Sequence, residues 1–196
     1  MEKTHYSSHA IGSIILLVTG FDAWLNEGIG FLSIVKSDIV DLANAPTIEK
    51  YYGIIKSLNG TIAANNDLDL LIKLRDEMVH YLPRISPVAT GPRKNIPQEF
   101  WVLDKRGLFL IPTSEGVEIA WGAQICSYHL AYWAWETIDM AASNFINAFD
   151  STMKPEFKFI YQALCSNFKF YKEVLSPDSL NAYDAEQGVE LSVLKK

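Results

Sequence analysis

The sequence predicts an all-α fold, an up-and-down helical bundle of five to six helices, and three observations predict it. Apolar residues recur at helical spacing over long stretches, above all 5–27, 68–82 and 118–149. The breaks between successive helical patterns are marked by Pro, Gly and Asn. No segment alternates strongly with period two, the sign of a half-buried strand.

The elements follow in order. From His5 to Glu27, Ile11, Ile14, Ile15, Val18, Phe21, Ala23 and Leu25 are so dense that the helix is expected at the centre, with Gly28 and Gly30 ending it. A second helix, Phe31 to Ala43, is stopped by Asn44 and Pro46. Thr47 can cap a third, running to about Leu58; Lys50 stands where a full capping box has Glu. Asn59-Gly60 reads as a turn between helices. Asn66 or Asp67 caps a helix from Leu68 to Leu82, ended by Pro83. Four prolines and Gly91 make 83–97 a loop, and 100–112 is an extended segment, a buried turn or a brief hairpin. Glu118 to Phe149 is the longest helical pattern, and Pro155 opens a last helix to Leu175. One domain is expected over 1–176, with a polar tail over 177–196.

Composition narrows the function classes. With 49% hydrophobic residues in 196, the chain can bury a core and is not of a disordered type. Cys126 and Cys165 are distant and lack a C-x-x-C companion, which suits reduced thiols in a cytoplasmic protein. The apolar run Ala10–Phe21 is too short for a bilayer and meets Asp22, so no membrane association is expected. The net charge is −6, against nucleic acid at first sight, yet 73–106 holds seven basic residues against four acidic ones. Arg75, Arg84, Arg93 and Arg106, all the arginines of the chain, lie in that strip.

One helix carries the chemistry. On a wheel of about 100° per residue with Leu71 at zero, Leu82 falls near 20°, Leu68 near 60° and Arg75 near 40°. A guanidinium in the middle of an apolar stripe needs a partner, Asp22 or Glu27 from another helix, or a polar cleft. His80 lies about 140° from Arg75 on this wheel, so joint action needs a loosened last turn before Pro83 or a dimer axis.

The string Leu74-Arg75-Asp76-Glu77-Met78-Val79-His80-Tyr81 resembles the Arg-x4-6-His signature of the HEPN superfamily, the higher-eukaryote and prokaryote nucleotide-binding domains. Asp76 fits the small polar residue usual after the Arg, and Val18 to Glu27 is similar to the first helix of many bacterial members. The aromatic helix around 131–149 also fits. The chain departs from the toxin subgroup with Tyr two residues after the His: that position is Leu82, with Tyr81 adjacent.

The resemblance implies a helical homodimer acting as a metal-independent endoribonuclease of toxin or anti-phage defence type, with an antitoxin or other protein as partner. Arg75, His80 and Asp76 would be catalytic, with Arg84, Arg93, Lys94 and Tyr81 binding RNA. A histidine titrating near neutrality suits transfer of the 2′-hydroxyl or leaving-oxygen proton, and an arginine fork suits the phosphate. The products would be a 2′,3′-cyclic phosphate and a 5′-hydroxyl. The alternative is a non-catalytic nucleotide- or protein-binding module of the same fold. No cofactor and no metal is expected.

Other constellations carry less. Tyr128, Tyr132 and Trp135 can stack bases, but such a stripe more often closes a core or a dimer face. His5 and His9 stand at i, i+4 without a nearby carboxylate. Ser114 lacks the glycines of a nucleophile elbow, and Gly28 and Gly30 follow no strand.

Overall fold

The computed structural model describes residues 3–34, 36–58, 60, 64–80, 96–109, 121–152 and 162. Helix α1 spans Lys3–Ser33, α2 Thr47–Ser57, α3 Asn66–Val79, α4 Trp101–Lys105, α5 Trp121–Gln124 and α6 Tyr128–Thr152. Two 3-10 turns, Ser37–Asn44 and Gln98–Phe100, join them, and no strand occurs among the described residues. The protein is an all-α helical bundle.

Helix α1 is the centre, as its apolar density predicts. It touches α2, α3, α6 and the first 3-10 turn, and Ile14, Val18, Trp24, Leu25 and Ile29 are buried. Ala134, Ala141 and Ala142 are buried on α6, and such small side chains let two helix axes approach closely. Between them lies an aromatic cluster. Trp24 meets Phe145 edge-on at 4.9 Å between ring centroids, and Tyr51 of α2 stands 6.0 Å from Phe21 and 6.4 Å from Phe145. The Tyr51 hydroxyl donates to the Ala141 carbonyl (3.1 Å), which satisfies the one polar atom this cluster buries on α2.

Several boundaries differ from the sequence reading. Gly28 and Gly30 do not end α1, which continues to Ser33. Ile29 and Leu32 are buried on either side of Gly30, so packing outweighs the low helix propensity of glycine. The expected second helix is divided: Phe31–Ser33 complete α1 and Ser37–Asn44 form the 3-10 turn. His9–Ser33 is therefore long and apolar enough to cross a membrane, where the run ending at Phe21 is not. Thr47 is not the cap of α2 but its first residue, and its hydroxyl goes to Asp22. Asn65, one residue before the two candidates, caps α3 by accepting from the Leu68 N–H (3.1 Å).

The ambiguous segment is helical over Trp101–Lys105 and turns through Phe109, and 110–112 lie outside the described residues. Gly107, at φ 72°, ends α4 in a Schellman motif: its N–H donates to the Asp104 carbonyl (2.9 Å) and that of Leu108 to Leu103 (3.2 Å). The long pattern from 118 is broken after Gln124. Ser127 restarts it, its Oγ accepting from the Leu130 N–H (2.9 Å) while its hydroxyl donates to the Leu108 carbonyl. The loop over 83–95, the helix from Pro155 and the polar tail lie outside the described residues, Gln162 excepted.

Candidate functional site

The site begins with how α3 is held. Leu68, Leu71 and Leu74 are fully buried and set its rotation. Its first turn is clasped from two sides. Arg106 donates to both oxygens of Asp67 (2.9 Å each), and the Trp133 indole donates to the same carboxylate (3.3 Å). Burial alone would raise the Asp67 pKa, but the hydrogen bonds from Arg106 and Trp133 and the positive charge of Arg106 hold it below the usual value. The same pairing raises the Arg106 guanidinium.

On this fixed helix Arg75 is half-buried. Its Nη1 lies 3.1 Å from Asp76 Oδ1, and the two side chains are 22% and 52% exposed. Its Nε is buried and has no hydrogen bond among the described residues. Asp22, one of the two acids able to neutralise it from α1, is engaged elsewhere. It accepts from Thr47 (2.7 Å) and from the buried ammonium of Lys50 (3.0 and 3.1 Å). Arg75 is therefore paired with its exposed sequence neighbour Asp76 and not with Asp22.

His80 sits where α3 stops, at φ −103° and ψ 20°, and its N–H still donates to the Asp76 carbonyl (2.9 Å). The α-helical bond pattern thus persists to His80, and the five-residue separation keeps about 140° between its Cβ direction and that of Arg75. The His80 side chain is exposed and makes no hydrogen bond or ion pair with Arg75 or Asp76. Arg75 and Asp76 are brought together; His80 shares the last turns of the helix with them but another side of it.

The basic strip is partly spent on structure. Lys73 pairs with Asp69 (2.6 Å) and Arg106 with Asp67 (2.9 Å), while Lys105 is exposed on α4. Tyr81, Arg84, Arg93 and Lys94 lie outside the described residues.

One charged cluster escaped the sequence reading, the Asp22–Thr47–Lys50 contact between α1 and α2. Its signal was available: Thr47, Lys50, Tyr51 and Ile54 share helical spacing, so Lys50 belongs to the buried stripe of α2. Comparison of the chain with models of protein families, with curated proteins and with solved structures finds no match.

Proposed function

We propose that the chain is a HEPN-like, metal-independent endoribonuclease of toxin or defence type, built around Arg75, Asp76 and His80. The observation that carries this reading is Arg75, a half-buried guanidinium with an unbonded Nε and an exposed Asp76 as partner. A structural arginine would be expected to meet an acid from another helix. Arg75 instead keeps donors available for an anion at the edge of the bundle.

In this mechanism a scissile phosphate takes its negative oxygens to Arg75, and Asp76 holds the guanidinium in place. Neutral His80 removes the 2′-hydroxyl proton, O2′ attacks phosphorus, the P–O5′ bond breaks, and the leaving 5′-oxygen takes a proton from water. The result is a 2′,3′-cyclic phosphate and a 5′-hydroxyl. The wide angle between Arg75 and His80 favours a site completed across a homodimer, with the arginine of one protomer and the histidine of the other on one phosphate. The same angle favours a second reading, a phosphate-binding module that uses Arg75 and not His80. In that role the protein binds RNA ends or nucleotides without cutting them.

The test is incubation of the purified protein with total RNA in EDTA, beside His80→Ala and Arg75→Ala. The expected result is cleavage by the wild type with cyclic-phosphate ends, reduced at least about a hundredfold in both variants while helicity is kept. Mixing the two inactive variants should restore part of the activity if the site is shared between protomers. Cleavage that appears only with divalent metal, or that survives both substitutions, overturns the proposal. Nucleotide binding lost in Arg75→Ala but kept in His80→Ala, with no cleavage, selects the binding module.

A further inference from the structure

A guanidinium has several N–H donors but a single positive charge, so it can bond more anions than it can neutralise. At Arg75 that one charge is already matched. Its Nη1 stands 3.1 Å from Asp76 Oδ1, while its Nε is buried without a hydrogen bond. Asp76 is the next residue on the helix and is exposed, so its carboxylate stays near whatever else the guanidinium holds.

The rest of the helix end adds no positive charge. From Leu74 to Val79, α3 supplies one cation, Arg75, and two carboxylates, Asp76 and Glu77. Lys73, Arg106 and Lys50 are each paired with another acid, Asp69, Asp67 and Asp22. An anion on Arg75 therefore meets one attractive charge in contact and one repulsive charge about 5 Å away, across the guanidinium. The two largely cancel, and hydrogen bonds to the ionised donor supply the gain. Desolvation then decides between ligands, and its cost grows with the square of the ligand charge. A phosphodiester brings one negative charge. A terminal phosphate brings close to two, and Asp76 removes most of the attraction the second would have added.

We infer that Asp76 is a specificity-determining residue, which makes the Arg75 site select an internal phosphodiester over a terminal phosphate. The inference rests on Arg75 as an anion site, a premise shared by both roles proposed above. In either role the ligand is then the interior of a strand and not its end.

The test is an NMR titration of the full-length protein at pH 8 and low salt with two ligands. One is thymidylyl-thymidine, a diester with no 2′-hydroxyl to react; the other is thymidine 3′-monophosphate. The wild type is expected to prefer the diester, and Arg75→Ala to bind neither. Asp76→Asn keeps the shape and one oxygen of the side chain but removes its charge. It should tighten the diester about threefold and the monophosphate about tenfold, because the relief scales with ligand charge. Both gains should shrink as salt is added. An Asp76 that only positions the guanidinium would change both ligands alike, so equal gains, or none, overturn the inference and leave the Arg75 site standing. Binding that survives in Arg75→Ala, or no binding of either ligand by the wild type, overturns the anion site and the inference with it. Circular dichroism of each variant separates loss of the site from loss of the fold.

Discussion

Lys50 carries its ammonium into contact with Asp22, leaving the lysine side chain 7% exposed and the aspartate 26%. Removing one partner strands the other, which costs about 3–5 kcal/mol for a fully buried pair. Asp22 keeps some water and the Thr47 hydroxyl, so Lys50→Met should cost less, about 2 kcal/mol, read as a lowered urea midpoint. Adding Asp22→Asn should recover most of that loss, because the uncompensated charge is gone. Asp67 gives a pH signature. Its folded pKa lies below the ordinary 3.8, so its contribution is fully present above that value. It disappears as the pH falls through the folded value. Urea midpoints of wild type and Asp67→Asn should differ at neutral pH and converge in acid; a constant gap would show that the ion pair is not the cause. At this scale the sequence revealed Arg75 well, since a guanidinium in an apolar stripe is visible on a wheel. Val79, only about 40° from Arg75 on the same wheel, is nevertheless 49% exposed. A wheel gives a direction around the helix, not how far along it the neighbouring helices reach.

At the scale of the element, the errors lie at the ends. Thr47, Asn66 and Gly30 carry sound local signals, and each is overruled by a contact from elsewhere: Asp22 takes the Thr47 hydroxyl, Asn65 takes the cap, and the buried Ile29 and Leu32 carry α1 past Gly30. The continuity of α1 has a direct check. A Cβ on Gly30 would meet nothing within 4 Å, and the residue is helical, so Gly30→Ala should stabilise by up to about 1 kcal/mol. A helix that stopped at this glycine would be destabilised instead, and the thermal midpoint distinguishes the two. Gly53 is the contrasting case. A Cβ there would stand 2.8 Å from a terminal carbon of Leu42, so the Leu42 side chain must shift to admit any larger residue.

For the whole molecule, fold class and central helix were both legible, because they rest on periodicity summed over many residues. The pairing of the helices was not, since nothing local joins residue 24 to residue 145. Those two rings, with Tyr51, link α1, α2 and α6. Phe145→Ala should therefore cost about 3–5 kcal/mol and lower the denaturation midpoint in a single transition. In a double-mutant cycle with Trp24→Leu, about 0.5–1.5 kcal/mol of coupling is expected from the ring pair. For the candidate site, helix spacing shows that Arg75 and His80 are near in sequence and angularly apart, and the structure keeps them so.

The enclosed Lys50 also makes the protein its own chemical clock. An amine-acylating reagent finds an exposed lysine such as Lys73 at once, but reaches Lys50 only in molecules whose α2 has lifted from α1. Mass spectrometry of the Lys50 peptide over time would then count those openings directly, as slow covalent marks accumulated under native conditions.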